Sequence, residues 1–200
     1  MPRAYTLNLN LSYVDMPDNT PQPEQLLREY QVKFPDESAT IQATRHFLKT
    51  IKENSTTHDQ IMASAWIFNP HTGKVLLRKS KNGLYTVVQE AINHQQHDIQ
   101  QATLNVVAKK SQLKHLQLYA NELFHLHIAL STSASPAEQK FYYYDFCFLL
   151  YTHESTEQKV DNQSTEWVSP SQIKNDDAYR SVYAVAKKWQ LFCYEKAPIA

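Results

Sequence analysis

Only two glycines, Gly73 and Gly83, occur in this chain of 200 residues. Phosphate-cradling loops of the P-loop and dinucleotide-fold kinds need several glycines, so that backbone N–H groups can approach the anion. Both architectures are therefore excluded, and whatever the chain binds is held by other means.

Charge narrows those means further. Twenty Lys and Arg balance twenty Asp and Glu, so no global field favours nucleic acid or an anionic membrane, and neither is expected as a partner. A charged ligand has to be held locally. With 42% hydrophobic and 12% aromatic residues, the chain fills a sizeable core as one domain with or without an extension. The cysteines, Cys147 and Cys193, sit in the apolar runs FCFLLY and LFCYE and read as buried free thiols. A reducing, cytoplasmic setting suits them. The opening MPRAYTLNLNLSY lacks the continuous apolar core of a signal peptide, and no apolar run approaches the roughly 20 residues that span a bilayer.

The residue pattern gives an order of elements. Tyr5, Leu7, Leu9, Leu11 and Tyr13 alternate with polar residues, the period of a half-buried strand. Three prolines break the chain, and Pro23 opens a short helix carrying Leu26, Leu27 and Tyr30. Ser38 precedes a second helix with Ile41, Thr44, Phe47, Leu48 and Ile51, stopped at Asn54-Ser55. Residues 1–57 thus read as a strand and helical extension, and 58–200 as the main domain. There, IMASAWIFN and KVLLRKS form a hairpin around Pro-His-Thr-Gly, and LYTVV adds a third run after Asn82-Gly83. Asp98 precedes an amphipathic helix to about residue 112. LFHLHIAL reads as a strand with Phe124, Leu126, Ile128 and Leu130 on one side, KFYYYDFCFLLY as a long aromatic strand and TEWVS as a short one. Ser169-Pro170 opens a helical turn, and Asp177 caps a last helix bearing Tyr179, Val182, Val185, Ala186, Trp189 and Phe192.

Several stretches carry a family resemblance. ASAWIFNPHTGKVLLRKSKNGLYT resembles the opening of the Nudix hydrolases, in which a strand ending in Asn-Pro turns into Val-Leu-Leu, a basic stretch and Gly-x-Trp. YYYDFCFLL resembles a later strand with a Tyr-Asp pair, and STEWVSPSQI the Glu-Trp-Val that follows it. LLREYQVKFPDE is similar to the leader of one bacterial Nudix subgroup. The resemblance implies an α/β/α sandwich with a mixed sheet, here with the N-terminal extension packed on it.

It also implies a metal-binding box: a glycine, a glutamate six positions on and, after seven more residues, Arg-Glu-apolar-any-Glu-Glu-any-Gly. Laid without gaps, those positions fall on Glu90, Gln96, Leu104, Asn105, Val106, Ala108, Lys109 and Ser111, and only the apolar one fits. Mg²⁺ needs oxygen ligands, and none of the residues from Ile99 to Ser111 is Asp or Glu. The expectation is a Nudix-like protein without metal or cofactor and without ordinary pyrophosphohydrolase activity, which binds a nucleotide-like small molecule or a protein. In this register Ile99, Ala102, Val106 and Val107 face the sheet, while Asn105 and Lys109 face the former metal site. The rival is an active hydrolase of nucleoside-diphosphate-linked compounds that recruits Glu90, Asp145 or Glu166 for Mg²⁺.

Arg78, Lys79 and Lys81 lie beside the expected cleft and suit phosphate, as Lys109 does, while Tyr143, among Phe141, Tyr142 and Tyr144, suits stacking on a base. Each has a plainer role as solvated edge or core. His125 and His127 share a strand face and would clamp a transition metal if a neighbouring strand supplied a third ligand. For these, and for His71, His94, His97 and His115, solvent-facing or hydrogen-bonding roles are the simpler reading.

Overall fold

The computed structural model of the chain describes residues 22–53, 58–93, 98–131, 140–155, 159–160 and 163–196. The alternating segment at 5–13, the Asn54-Ser55 stop, His94, Gln96 and His97 lie outside these residues.

Helix α1 (Gln22–Lys33) and, after a 3-10 turn at Pro35–Glu37, helix α2 (Ser38–Glu53) form the described part of the extension. The main domain continues with β1 (Gln60–Asn69), β2 (Lys74–Lys79), β3 (Tyr85–Thr86), β4 (Val88–Ile92), α3 (Ile99–Ser111), β5 (Gln117–Leu130) and β6 (Tyr142–Tyr151). It ends with β7 (Lys159–Val160), β8 (Gln163–Val168), a 3-10 turn at Pro170–Gln172 and α4 (Tyr183–Lys196). The hairpin turn closes as its composition demands. Asn69 Oδ1 accepts from the N–H groups of His71 (2.9 Å) and Thr72 (3.2 Å), and Gly73 takes a φ of 67° that other residues avoid.

The sheet is mixed, with the order β5-β6-β1-β2-β8-β7. β1 and β6 run parallel at its centre, and the remaining pairs are antiparallel. One edge of β1 is divided: β2 pairs with it over Ile67–Asn69, and β4 over Ile61–Ala65. That division brings the end of β2 against β4, so that Arg78 Nη1 reaches the carbonyl of Gln89 at 3.4 Å.

Alternation then sorts side chains to two faces. Ile61, Ala65, Ile67, Leu76, Phe146, Phe148 and Leu150 pack with Leu26, Leu27 and Tyr30 of α1, Ile41 and Phe47 of α2, and Ile99 and Val107 of α3. Trp66, Phe68, Val75, Leu77, Cys147 and Leu149 pack with Val185, Ala186 and Trp189 of α4. The extension thus shares a core with the sheet. At the sheet edge the Tyr30 hydroxyl donates to Glu37 Oε2 (2.6 Å) and accepts from Leu126 N (3.0 Å) and Lys188 Nζ (2.5 Å), joining α1, β5 and α4. Lys188 also donates to Glu37 Oε1 at 2.5 Å.

Three elements differ from expectation. In β5 the register shifts between Leu123 and His125, a bulge that sends Leu123 to the α1 side and Phe124 to the α4 side. Phe124 therefore does not share a face with Leu126. β7 has no counterpart in the sequence reading. Helix α4 begins at Tyr183 rather than at Asp177, because the preceding backbone is engaged elsewhere: Ala178 O accepts from Tyr85 N (2.8 Å), and Ser181 Oγ donates to Tyr85 O (2.6 Å). Asp177 pairs with Arg180 instead of capping the helix.

Candidate functional site

The helix laid against the family box, α3, is set by its two ends. Asp98 Oδ1 accepts from Gln101 N at 2.8 Å and caps the first turn. The last turn ends at Gln112, whose φ of 57° is the one positive value at a non-glycine residue among those described. Between the caps Ile99, Ala102, Thr103, Val107 and Ser111 are buried. The buried hydroxyls of Thr103 and Ser111 donate to the carbonyls of Ile99 (2.8 Å) and Val107 (2.7 Å), which satisfies them locally.

The outer face corrects an expectation. Asn105 and Lys109 are exposed, Val106 is only partly buried, and the lysine turned towards the sheet is Lys110. Its Nζ lies 2.8 Å from Glu90 Oε1 on β4. Seven residues after Thr103 and three after Val107, Lys110 belongs to the buried stripe of the helix. That spacing was the signal available in the sequence, and the ungapped alignment overrode it by one position.

Glu90 thus sits between two cations, Lys110 from the helix and Arg78 from the end of β2. Burial lowers the affinity of the Arg78 guanidinium for its proton, and the charge of Glu90 opposes that. These groups form a cluster with more positive than negative charge, half-buried between β2, β4 and α3.

The remaining candidates lie elsewhere. Lys79, Tyr85 and Glu166 meet on the α4 side of β2, β3 and β8, where Tyr85 Oη donates to Glu166 Oε2 (2.6 Å) and Lys79 Nζ to Glu166 Oε1 (3.2 Å). The Tyr85 hydroxyl does most to hold the Glu166 carboxyl below its ordinary value, with burial opposing and Lys79 assisting. Tyr85 in turn stacks on Tyr179 at 4.6 Å. The three side chains are partners of one another, and Lys79 and Glu166 stay about one-third exposed, at 37% and 32%.

Asp145 and Tyr143 lie on β6, on the same α4 side. Tyr143 is half-buried, and burial raises its phenol above the ordinary value. Asp145 is 6% exposed, and burial pushes its carboxyl up to about 7, with the Ser64 hydroxyl opposing. Glu90 is on the other face from Asp145 and Glu166. The latter two are three strand spacings apart along β6-β1-β2-β8, about 14 Å before any offset along the strands. No two of the three carboxylates stand where one ion would bridge them. Among the described residues no three His, Cys, Asp or Glu side chains come together as a metal-binding group. Nor is any described helix long and apolar enough to cross a membrane.

No protein-family model matches the sequence, and no curated protein does. Solved structures do. The ORF135 protein of E. coli superposes with a TM-score of 0.50 at 12% identity, over 74% of this chain and 99% of that one. A Nudix-family hydrolase from Clostridium perfringens gives 0.49 at 15% identity, over 66% and 97%. The MutT protein from Methanosarcina mazei gives 0.48 at 16%, over 71% and 98%. Identities this low speak to the fold alone, and the chain has the mixed-sheet α/β/α sandwich fold of the Nudix hydrolases.

Proposed function

We propose that this Nudix-fold protein binds a phosphate-bearing, nucleotide-like ligand through the cations around Glu90, without a metal and without hydrolysing it. The observation that carries the reading is the Lys110–Glu90 contact of 2.8 Å beside Arg78. The left-handed residue at the end of α3 supports a register in which the glycine closing the family box corresponds to Gln112. The apolar position then falls on Val107, fully buried as that position requires. In that register the three glutamates correspond to Val106, Lys109 and Lys110. A hard cation finds no oxygen ligand in that set, and an ammonium stands against the one carboxylate nearby, so the residues present do not fit Mg²⁺.

What remains suits an anion. Arg78 and Lys110 outnumber Glu90, and a lysine or arginine contacts phosphate directly. Lys79 and Tyr143, on the opposite face, do not belong to this cluster, and Lys109 lies on the exposed side of α3, outside it.

Titration calorimetry with ADP-ribose as probe, with and without EDTA, tests the reading. Weak binding that EDTA leaves unchanged and salt reduces is expected, because exposed pairs are screened over about 10 Å at 0.1 M. Mg²⁺-dependent cleavage of ADP-ribose at roughly 1 per second or faster, an ordinary enzymatic rate, would overturn it. Absence of binding in either buffer would favour a protein partner.

A further inference from the structure

The ends of the two central strands bring together two histidines that the nucleotide reading leaves unused. His71 stands in the turn after β1 and His153 just past the end of β6, and both are exposed. β1 and β6 run parallel with Phe68 level with Tyr151, so both chains leave the sheet at the same end. There the imidazole rings lie 4.5 Å apart between centres, with 43° between their planes.

The backbone beneath each ring is fixed. Asn69, 1% exposed, does most of this. Its Oδ1 accepts from His71 N (2.9 Å) and Thr72 N (3.2 Å), while its Nδ2 donates to the Glu154 carbonyl at 3.0 Å. On the other side Thr152 N donates to the Phe68 carbonyl (3.1 Å), and Glu154 N to Thr152 Oγ1 (3.1 Å). One buried amide therefore ties together the two loops that carry the rings, and the residues flanking His153 are held in place. The rings themselves are not spent: among the described residues none hydrogen-bonds to either imidazole.

A neutral imidazole offers one lone pair to a metal, and the separation of the two rings says which geometry they fit. An ion about 2.0–2.1 Å from one nitrogen of each ring lies about 3.2 Å from each ring centre, so rings at a right angle about it have centres about 4.5 Å apart. That angle is the one between neighbouring ligands of tetragonal Cu²⁺ or Ni²⁺, both of which imidazole suits. Tetrahedral Zn²⁺ opens the angle and calls for about 5.2 Å between centres. Turning a nitrogen towards the ion takes only rotation about the terminal side-chain bond, which is broad and two-fold in histidine. Among the described residues no third His, Cys, Asp or Glu joins the pair. The Glu154 carboxylate is engaged close by, accepting from the N–H groups of Lys114 (2.8 Å) and His115 (2.6 Å).

We propose that His71 and His153 form a two-imidazole chelate for a tetragonal transition-metal cation, Cu²⁺ or Ni²⁺, which clasps the β1–β2 turn to the end of β6. Water fills the remaining positions. The site is separate from the Glu90 cluster: Glu90 pairs with Ala63 near the start of β1, and the strand from Ala63 to Asn69 spans about 20 Å. Neither site depends on the other.

Calorimetric titration of the full chain with copper(II) chloride, in a non-coordinating buffer at neutral pH, tests the chelate when His71→Gln, His153→Gln and the double variant are set beside the parent. Either single variant weakens the tightest binding by about tenfold or more, because the second ligand no longer acts within the same molecule. The double variant is no weaker than the singles, since one imidazole left alone is no chelate. Single variants that bind as the parent does, or losses that add up in the double variant, would overturn the proposal. The chain has nine histidines, so a second measurement on the unmutated protein locates the ion. With Cu²⁺ well below one equivalent, the ring resonances of His71 and His153 broaden together and before those of the other histidines. Broadening led by any other histidine sinks the proposal, whatever the variants do to folding.

Discussion

Glu90 and Asp145 sit on strands that flank β1, face opposite ways through the same sheet, and meet the cost of a negative charge by opposite means. Glu90, half-buried, is met by Lys110 Nζ at 2.8 Å, with Arg78 nearby. Asp145, at 6% exposure and with no cation in contact, keeps a proton. The two carboxyls differ both in depth and in the cations set beside them: the more exposed one has a lysine in contact, and the buried one has none. The α3 face received lysine and arginine, whereas the α4 face spent its nearest cation, Lys188, on Glu37 and Tyr30 at the sheet edge.

The largest expected effect breaks the comparison at its buried end. At pH 8 Asp145 is mostly ionised in the folded chain, so Asp145→Asn removes a buried charge and raises stability by about 2–4 kcal/mol. At pH 4 the same substitution brings no such gain. Glu90→Gln, which breaks a surface pair, costs at most about 1 kcal/mol and less in high salt. Unfolding curves of the two variants at both pH values measure the contrast, and equal effects at pH 8 would remove it.

Next in size is Tyr30→Phe. It leaves the Leu126 N–H without its side-chain acceptor and releases Lys188 from one of its partners, at a cost of about 1–3 kcal/mol. Hydrogen exchange should show the loss at α1, β5 and α4 together, since the hydroxyl joins all three. A loss confined to α1 would show that the sheet edge does not couple them.

The sequence carried most of this architecture and part of the chemistry. Helices α1 to α3 were legible because their apolar residues recur at helical spacing and because Ser38 and Asp98 stand at their starts. The β1–β2 hairpin was legible from Asn69, Pro70 and Gly73. What escaped was set by partners distant in the chain. The start of α4 was displaced because the Ala178 carbonyl is spent on Tyr85. The face of Phe124 was reversed by a bulge that no local signal announces. Lys110 was passed over for Lys109, since an alignment without gaps carries no information about the left-handed backbone at Gln112. Glu90, Asp145 and Glu166 were each visible as carboxylates, but which face each takes depends on strand register.

Gln112→Gly tests that helix end directly. A left-handed residue with a side chain costs about 1–2 kcal/mol relative to glycine, and part of that returns as greater flexibility of the unfolded chain. A gain of about 1 kcal/mol is expected, with the Glu90 clamp unaltered. A loss of stability would show that the Gln112 side chain contributes something its backbone strain does not reveal.

The smallest effect on stability is expected for Lys110→Ala, and it separates folding from binding. The pair with Glu90 is about one-third exposed on both sides, with side-chain accessibilities of 29% and 36%, and such pairs contribute roughly 0–1 kcal/mol. Removing Lys110 nevertheless takes away a positive charge where a phosphate would lie, and leaves Glu90 to repel it with Arg78 alone in opposition. A charge-assisted hydrogen bond to an anion is worth about 1.5–3 kcal/mol, so ADP-ribose affinity should fall by roughly tenfold or more while the unfolding midpoint barely moves. Glu90→Gln should act the other way and tighten binding, since it removes the anion that competes with phosphate for both cations. If Lys110→Ala and Glu90→Gln shift affinity in the same direction, the cluster serves to hold α3 against β4, and the ligand contacts lie elsewhere.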